Sequence, residues 1–402
     1  MNRTTVFLVL LAIGAWAELG GQEIKPQPGR LEPKATADGR CQDYVGETVC
    51  ESCHQEKAES FHQTAHYLTS RPPSRESILG SFSPDANVLT TRNPNLIFRM
   101  EERNGEFFQT SVEGIAPDEN KHSEKIALVF GSGGKGQTYA YWKGDQLFQL
   151  PVSYWRELGW VNSPGYRDGT ANFDRPIIPR CLECHGTYFT ALAPGPDRYL
   201  NRYKKNGFVV GIDCERCHGP GRVHSERYKQ KTAAGVETGI LNPARFSRER
   251  QLDLCGLCHA GLGKSVQPSF SYVAGEPLNQ YVEFPAPDPN APLDVHGSQI
   301  EALKKSRCFA FSKMTCLTCH DVHQPQHDLA SFSERCLGCH KEQSCGIFAT
   351  RGKQISSNCV DCHMPKQETN LIVFDALGKR KKPEVRNHWI KVYQGRPSGG
   401  GY

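Results

Sequence analysis

Cys316-Leu317-Thr318-Cys319-His320 sets two thiols three residues apart and an imidazole directly after the second. Thiols so spaced can add across the two vinyl groups of a porphyrin, and the adjoining His can then ligate its iron. Cys-x-x-Cys-His is the attachment signature of a c-type haem. The pattern occurs seven times: Cys50–Cys53–His54, Cys181–Cys184–His185, Cys214–Cys217–His218, Cys255–Cys258–His259, Cys316–Cys319–His320, Cys336–Cys339–His340 and Cys359–Cys362–His363. Composition alone would yield about 0.03 occurrences. Seven covalently bound c-type haems are therefore expected, each with its motif His as proximal ligand. Zinc or an iron–sulfur cluster would not call for a His after every second Cys.

An electron-transfer haem usually takes a sixth ligand from the protein as well. Eight histidines lie outside the motifs: His62, His66, His122, His224, His296, His323, His327 and His388. Seven bis-His haems would use seven of them. Beyond Met1 only Met100, Met314 and Met364 remain, too few for widespread His/Met ligation. His323 follows His320 by three positions, so it suits a neighbouring haem better than its own. His224 follows Gly219-Pro220-Gly221, a turn that lets the chain swing from one haem plane to the next. These two, with His66, His296 and His388, are the principal distal candidates. His62, His122 and His327 are secondary, because His is also an ordinary surface residue.

The elements that must position these groups can be read in outline. Residues 44–70 form a first haem unit, in which Gln55–Leu68 is expected as a helix with His62 and His66 on one face. Residues 71–180 carry no motif and alternate in short runs, which predicts a β-rich module. Leu96–Met100 and Phe107–Val112 make a hairpin about Asn104-Gly105, and Lys125–Phe130, Gln137–Trp142 and Gln146–Leu150 make further strands. The glycine-rich Gly131–Gly136 lacks the spacing and terminal Lys-Ser/Thr of a phosphate loop and falls between strands, so nucleotide binding is not expected. Residues 181–260 hold motifs two to four, and 313–402 hold motifs five to seven and a tail. The connector 261–312 has Pro285, Pro287, Pro289 and Pro292, then an expected helix over Ser298–Ser306. The fold class is a mainly α and irregular multihaem scaffold with a small β-rich module between motifs one and two. The motif intervals follow no fixed period.

Asn2-Arg3, the apolar run Val6–Ala15 and Ala15-Trp16-Ala17 read as a secretory signal over 1–17, with a flexible leader over 18–43. The run is shorter than the roughly 20 residues of a spanning helix, and no later stretch is apolar enough to span; an uncleaved anchor is the alternative. A periplasmic or extracellular location follows. There Cys41, Cys308 and Cys345, the cysteines outside motifs, could oxidise. Cys308 and Cys345 flank motifs five and six and are the candidate disulfide, with two free thiols as the other reading. Hydrophobic content of 38% with 38 Gly and 26 Pro is lean for this length, and porphyrins would supply the missing apolar mass. A net charge of +5 gives no case for nucleic-acid binding. Lys379-Arg380-Lys381-Lys382 reads as a solvated loop, or else as a docking patch for an acidic redox partner.

In Tyr44-Val45-Gly46-x-x-x-Cys50, Cys217-His218-Gly219-Pro220-Gly221-x-x-His224, Cys319-His320-Asp321-x-His323 and Cys362-His363-Met364-Pro365, the sequence resembles the multihaem c-type cytochromes related to the cytochrome c-554 family. The resemblance covers about 44–70 and 180–390, and Gly131–Tyr154 also looks like a β segment of exported multihaem proteins. It implies closely packed haems, in parallel-stacked and perpendicular pairs, passing electrons along an array to redox partner proteins. Related families include catalysts acting on hydroxylamine, nitrite or tetrathionate. Those nitrite reductases often replace the motif His by Lys at the catalytic haem, whereas all seven motifs here end in His. An electron carrier is the leading expectation, with no catalytic residue assigned. A small-molecule reductase or oxidase with one open haem is the rival, and a subunit of an extracellular cytochrome filament is a third, so self-association stays open.

Overall fold

Short alternating runs after the first motif leave each strand with one apolar face, and two antiparallel sheets result. The computed structural model describes residues 43–193, 200–230, 239–286, 293–376 and 379–393, all within one unit spanning 35–402. The expected signal, the leader to residue 42 with Cys41, Pro287, Pro289 and Pro292, and residues 394–402 lie outside the described residues.

The strands are β1 (Ser70–Arg71), β2 (Val88–Thr90), β3 (Leu96–Arg103), β4 (Glu106–Glu113), β5 (Asn120–Lys125), β6 (Leu128–Phe130), β7 (Gly136–Lys143), β8 (Gln146–Gln149), β9 (Val152–Trp155), β10 (Gly159–Asn162) and β11 (Arg175–Pro176). One sheet runs β2-β3-β4-β5; the other runs β1-β6-β7-β8-β11, with β9 on β7 and β10 on β9. The β3–β4 hairpin turns on Asn104 (φ 52°) and Gly105 (φ 78°), the left-handed pair that a tight two-residue turn needs.

Phe98, Met100, Tyr139, Leu150 and Val152 are fully buried in one core that also takes Trp160. Met100 is therefore a packing residue. Gln109, fully buried in β4, donates from Nε2 to Val152 O (2.8 Å) and accepts from Val152 N (3.0 Å), which satisfies both ends of its amide between the sheets. A Cβ on Gly80 would meet the Trp160 ring at 2.0 Å, so only glycine fits there.

A hairpin of β12 (Gly186–Ala191) and β13 (Tyr203–Val210) lies between motifs two and three, in a stretch expected to be haem scaffold. Its Phe189 and Tyr203 pack with Leu128, Phe130, Ala140 and Leu147 of the sheet and with Leu182 of motif two. This second cluster ties the β strands to the motif helix.

The helices are short: α1 (Glu47–Phe61), α2 (Pro179–His185), α3 (Cys214–His218), α4 (Arg222–Lys229), α5 (Arg248–His259), α6 (Gln299–Lys304), α7 (Arg307–Ala310), α8 (Leu329–Leu337), α9 (Phe348–Arg351) and α10 (Cys359–His363). Helix α1 departs from helical geometry at His54 and stops at Phe61. The expected shared face of His62 and His66 is thus not formed. Thr64 explains the stop: its hydroxyl donates to Phe61 O (2.7 Å) and accepts from Tyr67 N (3.3 Å), which turns the chain into a 3-10 turn, Tyr67–Thr69. Near the end of the chain, Lys379–Lys381 pairs with Phe374–Ala376, so the first three residues of the basic run sit on a strand and only Lys382 lies beyond it. Among the described residues no helix is long and apolar enough to cross a membrane.

Candidate functional site

A single helical turn puts residues i and i+3 on one side, so it aims both motif thiols the same way. The residue before the first Cys often starts that turn. Asp213 accepts from Arg216 N (3.0 Å) to cap α3, Asn358 accepts from Asp361 N (3.0 Å) to cap α10, and Thr315 forms a capping box with Thr318 over Cys316–Thr318. The helix of motif two, α2, begins with Pro179 at the first helical position, where its missing N–H costs nothing.

Thiols of different motifs meet. Cys50 lies close enough to Cys214, Cys184 to Cys258 and Cys255 to Cys316 that one thiol of each pair has its pKa lowered by its neighbour and the other raised. Motifs two and four contact reciprocally: Cys184 Sγ lies 3.8 Å from Leu257 O, and Cys258 Sγ lies 3.7 Å from Glu183 O. Cys217 is within electrostatic reach of Cys255 and Cys258. Cys336 is likewise in reach of Cys359, Cys319 and Cys308, and burial first, then these neighbours, push its thiol up to about 11. The fully buried Ser333 joins motifs six and seven by accepting from Cys359 N (2.9 Å).

The imidazoles also pair, each motif His with one from elsewhere in the chain. Ring centres are 6.3 Å apart for His54–His224, 6.1 Å for His66–His259, 6.0 Å for His218–His323 and 6.3 Å for His320–His388. Interplanar angles are 17°, 85°, 29° and 30° in the same order. Two imidazoles bound through Nε2 at about 2.0–2.1 Å on opposite sides of one metal have ring centres about 6 Å apart. The residues present thus fit an iron held between each pair. Burial chiefly lowers the His185 pKa, and His296, the fifth principal candidate, adds to this from a distance without a ring contact like those of the four pairs.

The other ring nitrogen is held in several of these residues. His218 Nδ1 lies 2.8 Å from Leu241 O, His363 Nδ1 3.0 Å from Lys391 O, and His185 Nδ1 3.1 Å from Thr69 Oγ1. A proton on Nδ1 leaves Nε2 free as a ligand. Burial, then neighbouring imidazoles, lower His259 to about 4; burial, then His320, lower His388 to about 4. Both rings are neutral at physiological pH, the form that binds a metal.

The secondary candidates lie elsewhere. His62 Nε2 is 3.0 Å from Glu51 and 3.6 Å from Glu47, with its ring stacked on Tyr67 at 4.1 Å. That cluster has ligand-type atoms within 4.8 Å of one another, in the geometry of an ion pair. His122 projects from β5 against Phe173 and Glu124, and His327 is exposed. Cys308 and Cys345 carry separate thiols, so the candidate disulfide is not formed; Cys308 lies instead within reach of Cys319 and Cys336.

Sequence reasoning missed the charged residues in and beside the motifs. Arg180 and Glu183 form a buried pair; Arg180 also donates to Leu257 O (2.8 Å) and Leu262 O (2.6 Å), at the end of α5, and Glu183 accepts from Phe270 N (2.6 Å). Glu215 is buried and accepts from Val45 N, Gly46 N and Gly221 N, all at 2.9 Å, which binds motif one to motif three. The signal was a charge at a variable position of the motif, where a solvated side chain is the ordinary expectation.

Residues 163–219, which contain motifs two and three, match the family described as cytochrome c554 and c-prime. No curated protein and no solved structure matches the chain. This partial match supports a c-type cytochrome with covalently attached haem.

Proposed function

We propose that this cytochrome is an exported heptahaem electron carrier that passes electrons between redox partner proteins. The observation that carries the reading is the set of four imidazole pairs at 6.0–6.3 Å, each joining a motif His to one remote in sequence. In this reading His54 and His224 hold the first iron, His185 and His296 the second, His218 and His323 the third, His259 and His66 the fourth, and His320 and His388 the fifth. Bound haem supplies a one-electron couple whose axial bonds both persist on reduction. The chain's own residues fix the ligands and bring neighbouring attachment points together. The sulfur contacts support an array in which motif four neighbours motifs two, three and five, motif three leads to motif one, and motif five leads to six and seven.

The mass of the matured protein and its low-temperature EPR spectrum test this directly. Seven haems and at least five low-spin irons are expected. A homogeneous product with six or fewer haems, or a mostly high-spin spectrum, would defeat the carrier as described.

A second reading attaches to motifs six and seven. Among the described residues neither His340 nor His363 faces another imidazole, unlike the motif histidines of the four pairs. An open iron there would suit a reductase or oxidase of small nitrogen or sulfur compounds. Stoichiometric binding of nitrite or hydroxylamine at one haem, with turnover by a redox dye, would favour that reading; an unchanged Soret band favours the carrier.

A further inference from the structure

The turn that follows α1 touches two haem motifs at once. His66 faces His259 of motif four, and three residues later Thr69 Oγ1 lies 3.1 Å from Nδ1 of His185 in motif two. Ser70 continues the contact by donating to His185 O. Motifs two and four are also the pair whose cysteines meet through reciprocal carbonyl contacts. One turn thus carries an imidazole toward one centre and a hydroxyl toward the ligand of its neighbour.

We propose that Thr69 is a positioning residue for His185, orienting its ring and lowering the reduction potential of the haem on motif two; this rests on the haem reading above. With Nε2 directed to iron, Nδ1 carries the proton and donates it to Thr69 Oγ1. An acceptor at that position makes the imidazole a stronger donor and favours the oxidised iron. His218 and His363 have backbone carbonyls in the same role, Leu241 O and Lys391 O, which no side-chain change removes. At His185 the hydroxyl partner is a side chain and can be exchanged, while the backbone of Thr69, which also acts on the ring, stays in every variant.

The turn is also held rigidly enough to place an oxygen. Thr69 O accepts from Gly131 N (2.7 Å), Ser70 and Arg71 pair with β6, and Gly211 N donates to Ser70 Oγ (2.9 Å). Gly211 has φ +65°, and a Cβ there would come within 2.3 Å of Tyr67 O, so the chain approaches the turn as closely as backbone allows.

The test uses the full-length holoprotein with Thr69→Val, Thr69→Ala and Thr69→Ser. In the Val and Ala variants one low-spin EPR component should change its g values and one haem potential should rise, with haem mass unchanged. Ser should restore both, because it returns the oxygen without the methyl group. Val or Ala spectra and redox titrations superimposable on the parent would overturn the proposal, as would a Ser variant that behaves like Val. Repeating Thr69→Val in a Cys181→Ala/Cys184→Ala background separates the two claims. The responsive component should already be missing there, and its persistence would show that the hydroxyl acts on another centre. If the parent's own peptide around motif two carried no haem, the haem reading would fail first and take this proposal with it.

Discussion

The β strands of residues 70–176 and the motif-bearing chain from Lys313 to Tyr393 are built on opposite terms. The first region buries Phe98, Met100, Tyr139, Leu147 and Leu150 completely and knits them with a buried Gln109. In the second, among the described residues, only Val360 and Phe374 are buried hydrophobics, and the interior of α8 is represented by Ser333. A chain segment that buries so little apolar surface cannot offset its own conformational entropy. One region supplies its core from side chains; the other is shaped around apolar mass that must be added.

The sharpest way to break this contrast is to make the full chain without covalent haem attachment and follow amide exchange. Amides of β3, β4 and β7 should stay protected while those of α8 and α10 exchange freely. The expected gap is about a thousandfold or more, on the order of 4 kcal/mol of local stability. Uniform protection, or uniform loss, would remove the distinction. Next in size is Phe98→Ala, which should cost about 3–5 kcal/mol from the strand region and leave the haem spectrum unchanged. Parallel melts followed by far-ultraviolet dichroism and by Soret absorbance would show whether the two regions separate.

His323→Ala probes the other side of the contrast, where single ligands matter more than packing. It should turn one iron from low to high spin without loss of haem mass, since attachment and axial ligation are chemically separate; an unchanged EPR spectrum would take His323 out of the ligand set. The smallest effect expected is at Glu101. Burial raises its carboxyl pKa, but hydrogen bonds from Thr110 and Arg103 and the Arg103 charge outweigh this and hold it below the usual range. A carboxyl depressed in the folded state adds stability above its unfolded pKa, and that stability disappears as pH falls through the folded value. Glu101→Gln should therefore cost about 0.2–1 kcal/mol at neutral pH, with the deficit closing in acid. Melting temperatures at pH 7 and pH 3 that fall in parallel would show that the carboxylate charge is not involved.

How much of this could be read from the sequence depends on how local the cause was. The attachment motifs declare themselves because covalent chemistry needs two thiols and an imidazole within one turn. The β3–β4 hairpin was legible for a similar reason: Asn104-Gly105 accepts the left-handed geometry that the turn demands. Which imidazole faces which was not legible, because His66 meets His259 only through the tertiary path of the chain. The end of α1 at Phe61 depended on one hydroxyl, Thr64, and not on any break in helical pattern. The β12–β13 hairpin was hidden because its run of Tyr188, Phe189 and Phe208–Val210 is short and framed by haem motifs.

The crossed imidazole pairs carry a consequence for the order in which the molecule can be completed. His54 has its counterpart after motif three, His218 has its own after motif five, and the partner of His320 comes only at His388, after the last motif. A chain that emerges amino end first therefore makes these three attachment points before the residue that faces each, while His66 is already made when His259 of motif four appears. Each closure spans a long loop, so it is slow to find and is earned late. A product ending just short of His388 would keep all seven motifs and still be an unfinished protein.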